Sequence, residues 1–449
     1  MGDVAMSPVA GASAVSPAMS PASARLPLTP TQPGVTIFRG ATLVDGEGAA
    51  PVPDADVEVR EGVVVYAGPR RDAVAADGDA RVIDLTGAWI LPGFVDVHVH
   101  LAMVPDPPEQ QRAWFAEESV FAVAAQMRAT LEAGVTTARD LDGLTPGYRL
   151  AIAAGRATGP RLHVAIAMLS PTGGHADPVS ANGSMPAWAV RPGMPEAGLV
   201  DTDDDIVRTV RRLLRTGADV IKVSTSGGSG SPTDEPGDTG ITEQQVQLIR
   251  RLVDERRGRP ITAHALTDAA ARAAVLGGVD SIEHGYDLSD ETIELMVERG
   301  TVLVPTLSTL MRESGPGVTP ERRRERERMR RRGMDSARRA VAAGVPVALG
   351  TDAGVVPHGR NLGELRWLVE TGLDPLSAIG AGTLTGARLL GLGDHLGSVA
   401  PGKLADLVVT RVDPLAEIGR LSEPGAVRMV VQSGRIIVDS EPGELTPGR

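Results

Sequence analysis

The 449-residue sequence predicts an α/β fold: a (β/α)8 barrel in the middle of the chain and a small β-rich domain assembled from both ends. Three observations predict it. Short apolar strands alternate with amphipathic helices from about residue 92 to 392, which is the pattern of a parallel sheet. β-rich segments of one style flank that region on both sides. His, Lys and Asp residues recur where the predicted strands end, and the carboxyl ends of barrel strands are where reactive side chains converge.

Composition bounds the rest. Hydrophobic residues are 42% and charged residues 23%, ordinary globular usage that excludes a wholly disordered chain. Aromatics are only 2%, so the core must be built from Ala, Val, Leu and Ile. With no cysteine there is no disulfide framework, no thiolate metal site and no Cys nucleophile. A net charge of −12 argues against a nucleic-acid partner, because phosphate contacts demand surplus Lys and Arg. No apolar run approaches the roughly 18 residues of a membrane span.

Residues 1–33 are dominated by Ala, Ser and Pro without periodicity, and read as a disordered tail. The tail lacks the basic start and apolar run of a secretory signal, so a cytoplasmic location is expected. From 34 to 91 short alternating strands are broken by Gly and Pro, as in TIFRGATLVDG, ADVEVREGVVVYAG and RVIDLTGAWI. Residues 393–443 repeat the style in GSVAPGKLADLVVT and AVRMVVQSGRIIVDS, so the two pieces are expected to pair into one small sheet domain.

Across 92–392 the predicted strands are GFVDVHVHL from 93, GVTTARDL from 134, RLHVAIAML from 161 and ADVIKVST from 218. PITAHA from 260, SIEHG from 281, TVLVPTL from 301 and VPVALGTDAG from 345 complete the set. Helical stretches lie between them. In ITEQQVQLIRRLVDERRG, Thr242 and Gln245 have capping-box spacing, and SDETIELMVERG ends on a Gly stop. Eight units over about 290 residues fit a closed barrel, with a doubly wound open sheet as the alternative.

The chemistry lies at the strand ends. His98 and His100 close the first strand two residues apart, so both imidazoles project to one face and can reach one ion. Lys222 lies in an apolar strand, where burial disfavours its ammonium form. It either snorkels or pairs, or stays neutral and adds carbon dioxide to become a carbamate, a two-oxygen ligand able to bridge two metals. His264 and His284 end the fifth and sixth strands, and Asp352 ends the last. Singly, each has a structural reading: hydrogen-bonded core histidines, or an Asp turn former. Together, on strands one, four, five, six and eight, they converge on one mouth.

The motifs GFVDVHVH, VIKVSTSGG, TAHA, IEHG and GTDAG, in this order and spacing, resemble the amidohydrolase superfamily, in its binuclear-metal, carboxylated-lysine branch. The flanking β segments look like the β-sandwich such enzymes build from both termini. The resemblance covers roughly residues 35–440, and SPTGGHADP with the GTDAGVVPHGRN loop is similar to the imidazolonepropionase-like and dipeptidase-like members. One departure stands out: Leu266 follows TAHA where many relatives carry a His or aromatic residue, so an aromatic at the site would come from Tyr286.

The resemblance implies two divalent metal ions, zinc first, with manganese, iron or cobalt as alternatives. His98, His100 and Asp352 would hold one and His264 and His284 the other, bridged by carboxylated Lys222. It implies hydrolysis of an amide bond, in a dipeptide or N-acyl amino acid, by a metal-bridging hydroxide with Asp352 as general base and acid. His175, in the Gly173-Gly174-His175 loop, is expected to touch substrate or stabilise developing charge, or else to pin the loop. Tyr286, His358 and Arg139 are further substrate-binding candidates, with an ion pair to a neighbouring acid the alternative for Arg139. A mononuclear deaminase or cyclic-amide hydrolase of the same superfamily is the second enzyme reading. A non-catalytic barrel scaffold is the third, opposed by six filled ligand positions. Self-association is left open.

Three signals are set aside. Residues 321–332, ERRRERERMRRR, carry interleaved Glu and no aromatic stacking partners, and read as a solvated helix capped by Thr319 and Pro320. SGGSGS at 226–231 is not followed by the Lys-Ser or Lys-Thr of a phosphate loop. No G-x-S-x-G supports a serine hydrolase, and His163 and His395 read as structural.

Overall fold

The computed structural model describes residues 34–71, 80–111, 113–185, 195–229, 234–256, 258–313, 315 and 318–441. The tail expected over residues 1–33 lies outside the described residues, as do the last positions of the expected C-terminal segment.

The chain ends do meet. Leu407–Thr410 runs antiparallel to Trp89–Pro92, and Val427–Gln432 and Arg435–Asp439 extend the same sheet. On the other side Trp89–Pro92 pairs with Val35–Leu43, followed by Val52–Arg60 and Val63–Pro69, while Arg81–Asp84 lies parallel to Val35–Leu43. The result is one mixed eight-stranded sheet rather than two separately bonded layers. Its core draws Phe38, Leu43, Val57 and Ile90 from the first piece and Leu407, Val409, Met429 and Val431 from the second. The small aliphatic and Met side chains fit the aromatic-poor composition.

The parallel region departs from a single closed sheet. Phe94–Val99, Val135–Asp140 and Arg161–Val164 form a three-stranded sheet. Met168–Ser170, Ile221–Ser224, Ile261–Ala265, Ser281–His284 and Val302–Val304 form a six-stranded one with the short Gly198–Leu199 strand at its edge. The break falls inside the expected third strand: Ile166 takes a left-handed backbone (φ 75°), uncommon for a β-branched residue, and divides RLHVAIAML in two. The expected eighth strand is irregular, yet its backbone bridges the two sheets. Leu303 N donates to Pro346 O and Ala348 N to Leu303 O on one side; on the other, Val97 N donates to Leu349 O and Asp352 N to His98 O.

The helices form where capping and periodicity place them. Thr242 caps Glu243–Asp254 by accepting from Gln245 N, and Gln245 Oε1 accepts from Thr242 N at 3.0 Å. Asp290–Arg299 stops at Gly300, whose φ of 67° suits glycine. Pro320–Ala342 starts on the Thr319 cap and carries its Arg-rich stretch on an exposed surface, with Arg324–Glu321 and Arg330–Glu327 pairs one turn apart. Among the described residues no helix is long and apolar enough to cross a membrane. The sheet domain is tied to the parallel region by Arg161, whose guanidinium pairs with Asp406 at 2.6 Å in a buried junction.

Candidate active site

Strand ends bring four imidazoles and a carboxylate together. His98 and His100 alternate along the first parallel strand, both buried, with ring centroids 5.3 Å apart. His284 ends its strand in left-handed backbone (φ 75°), and its ring centroid lies 5.2 Å from that of His98. Asp352 is also left-handed (φ 57°) and is held by its backbone bond to His98 O. Such conformations cost about 1–3 kcal/mol at non-glycine residues and concentrate at functional sites. Ligand atoms of His98, His284 and Asp352 lie within 4.8 Å of one another, a spacing that can hold a metal ion. That trio draws on both halves of the two-metal assignment expected from the sequence.

His100 Nε2 reaches Asp352 Oδ1 at 3.2 Å. His264 stands 4.6 Å from His284, centroid to centroid. Its Nε2 faces Gly227 O at 3.1 Å, which leaves Nδ1 for another partner. His284 has the opposite arrangement, with Nδ1 bonded to Thr306 Oγ1 at 2.7 Å and Nε2 left over. Lys222 is almost fully buried, and among the described residues its Nζ has no hydrogen-bond partner.

The field follows from burial and mutual contact. Burial, helped by the Lys222 charge, pushes the His98 imidazole down to about 4, and burial holds His264 and His284 well below their usual range. These rings are therefore neutral at pH 7, the form that binds a metal. Burial also lowers Lys222 to about 8. For Asp352 burial acts upward, but the hydrogen bond from His100 and the surrounding imidazoles outweigh it and hold the carboxyl below its ordinary value.

Around this centre the other expected residues take varied places. His175 stacks on His264 with centroids 4.0 Å apart, partly open to solvent, its Nδ1 3.5 Å from the buried Asp234 carboxylate. Tyr286 packs 5.4 Å from His284, but its hydroxyl is engaged with Thr306 Oγ1 at 2.8 Å. His358 contacts Thr130 Oγ1 at 2.9 Å and the His100 carbonyl at 3.4 Å. Arg139 corrects one expectation. It is fully buried and spends its guanidinium on Glu283, Ser281 and the Val97 carbonyl, so the ion-pair alternative holds and a grip on a substrate carboxylate does not.

Three buried acids were not singled out from the sequence. Glu283 accepts from His98, Arg139 and Ser281. Asp96 accepts from the backbone of His98 and Thr351 and from Asn361, and burial raises its carboxyl to about 6. Asp140 accepts from Leu101 N at 2.7 Å, and burial lifts it to about 7. Each sits in a strand buried along its whole length, so the solvation argument that marks Lys222 applies to these acids once the fold is known.

Comparison with known proteins agrees with this geometry. Residues 89–437 match the model of the Amidohydrolase family. The chain is 30% identical over 425 residues to an ochratoxinase of Aspergillus niger, covering 90% of this chain and 86% of that one. It is 30% identical over 416 residues to an imidazolonepropionase of Rhizorhabdus wittichii, covering 85% and 94%. A prolidase crystallised with N-methylphosphonate-L-proline superposes with a TM-score of 0.81 at 29% identity, over 90% of this chain and all of the other (100%). A family match over most of the chain, with histidines and an aspartate gathered at the strand ends, makes this protein a member of the amidohydrolase family and a hydrolase.

Proposed function

We propose that the protein hydrolyses the amide bond of a dipeptide or N-acyl amino acid at a two-metal centre. His98, His100 and Asp352 would hold one ion and His264 and His284 the other, with Lys222, as its carbamate, between them. One observation carries this reading: a lysine amine buried, among the described residues, without a hydrogen-bond partner in a site of buried imidazoles. A buried polar group left unpaired costs about 1–3 kcal/mol, so it calls for a ligand. Carbon dioxide supplies one: the amine nitrogen bonds to the carbon, releases a proton, and becomes an anion with two metal-seeking oxygens. The same reading takes the two parallel sheets as a (β/α)8 barrel joined through residues 346–353, spanning 92–392. The eight-stranded sheet of 34–91 and 393–443 is then its β-sandwich companion.

When bound, divalent ions at such a site supply Lewis acidity and lower the pKa of a nearby water. The chain's own groups do the rest. Asp352, held ionised, accepts the proton of the attacking water at a carboxylate oxygen and returns it to the departing nitrogen. His175, an imidazole partly open to solvent, faces incoming substrate and donates to developing charge on the carbonyl oxygen. Tyr286 supplies an aromatic wall beside His284. Amide cleavage is favoured over other chemistries because the similar ochratoxinase, imidazolonepropionase and prolidase span 85–90% of this chain.

A mononuclear reading is kept by a specific observation: among the described residues, His98, His284 and Asp352 come within reach of a single ion. Lys222→Ala separates the two. Assayed on a panel of dipeptides, N-acyl amino acids and cyclic amides, the variant should lose more than about a hundredfold in kcat/KM under the two-metal reading. Near-unchanged activity would transfer the assignment to the mononuclear branch.

A further inference from the structure

Glu283 lies beneath the site, fully buried, on the strand that ends in His284. Its Oε2 is 2.7 Å from His98 Nδ1. Its Oε1 accepts from Arg139 at 2.8 Å, Ser281 Oγ at 2.8 Å and Thr262 Oγ1. Arg139 is equally buried, and its Nε also donates to the carbonyl of Val97, the residue before His98. A buried ion pair of this kind is weak evidence for stability, because well-packed apolar residues of similar volume do as well or better. Its placement against His98 gives it another use.

Glu283 Oε1 already accepts from the Arg139 guanidinium and two hydroxyls, so the pair formed by Oε2 and His98 Nδ1 is read with the carboxylate as acceptor and the His98 nitrogen carrying the hydrogen. The lone pair then belongs to Nε2, which lies 3.5 Å from Asp352 Oδ1 within the cluster able to hold an ion. His284 lacks this constraint. Its Nδ1 faces a threonine hydroxyl, which can donate or accept and leaves the tautomer open. We infer that Glu283, paired with Arg139, is a positioning residue that fixes the tautomer and ring orientation of His98 for metal binding. The inference rests on the metal-centre reading above. Outer carboxylates of this type raise the basicity of a ligating histidine and are worth about 10–100-fold in metal affinity.

The test compares zinc affinity, by competition with a chromophoric chelator, in the unsubstituted chain, H98A, E283Q and the double variant R139M/E283Q. E283Q alone strands a buried guanidinium and can unfold the chain; the double variant removes both charges together. Circular dichroism establishes folding in each. The expected result is zinc bound about 10–100-fold more weakly by whichever of the two carboxamide variants folds. Nitrogen-15 histidine spectra of the unsubstituted, metal-free chain, with H98A supplying the assignment, should show His98 protonated at Nδ1. Folded carboxamide variants with undiminished zinc affinity, or an Nε2-protonated His98, would overturn the inference while leaving the metal centre standing. Failure of the unsubstituted chain to bind zinc at all would instead remove the reading beneath it.

Discussion

Gly228 shows how little room the site leaves. A Cβ there would lie 2.1 Å from His175 Nδ1, and the ring it would push is stacked on His264. The neighbouring Gly227 is as constrained, with a Cβ falling 2.0 Å from Glu235 O, and its carbonyl receives His264 Nε2. The glycines of this loop are there for close approach rather than for phosphate binding. Gly228→Ala should displace His175 and lower kcat/KM about a hundredfold toward whichever N-acyl amino acid the unsubstituted enzyme cleaves. Circular dichroism should remain native. Wild-type kcat/KM in the variant would show that His175 has no part in turnover.

At the scale of elements, Glu364 couples two pieces next to the site. From the start of Glu364–Glu370 its carboxylate accepts from Leu307 N and Ser308 N, at the start of Leu307–Met311. Burial raises this carboxyl from 4.5 to about 7. The folded chain therefore keeps a proton that the unfolded chain has released between those values. Stability from this group is fully present below about pH 4.5, falls as pH rises toward about 7, and is level above. Glu364→Gln cannot ionise, so its melting temperature relative to the unsubstituted chain should climb across that window and then flatten. A difference independent of pH would contradict the assignment.

The same scale shows what a reader of the sequence could see. Seven of the expected barrel strands are present in some form because short apolar runs between helical stretches are strong local signals. The third is cut at Ile166, whose positive φ no propensity announces, and the eighth is held by isolated backbone bonds rather than a regular ladder. The site histidines, Lys222 and Asp352 were legible because metal-binding residue types are scarce and fall at strand ends. The Arg139–Glu283 pair was not, since its partners are 144 residues apart and meet only inside the folded parallel region. Leu266, noted as a departure, is buried, and its N–H donates to Ser226 Oγ, which ties the fifth strand to the glycine loop.

For the whole molecule, the joint between the sheet domain and the parallel region rests on buried polar contacts. Arg161 pairs with Asp406 and reaches Ser433 Oγ at 2.8 Å, while Gln432 Nε2 donates to Thr136 O at 2.9 Å. The C-terminal strands thereby brace the starts of Val135–Asp140 and Arg161–Val164, the strands beside the one that carries His98. Asp406→Ala would take the paired carboxylate away from the buried Arg161 guanidinium and should cost about 3–5 kcal/mol in urea unfolding. A loss below about 1 kcal/mol, the size of a surface pair, would mean that the joint relaxes and the two parts are only loosely connected.

The central claim is that six residues from five strands form a two-metal centre bridged by a modified lysine. Metal content per chain, measured by elemental analysis after reconstitution with zinc and bicarbonate, tests it most directly. The account predicts about two zinc ions per folded chain, falling to about one or fewer in Lys222→Ala. About one ion per chain, unchanged when Lys222 is replaced, would contradict it.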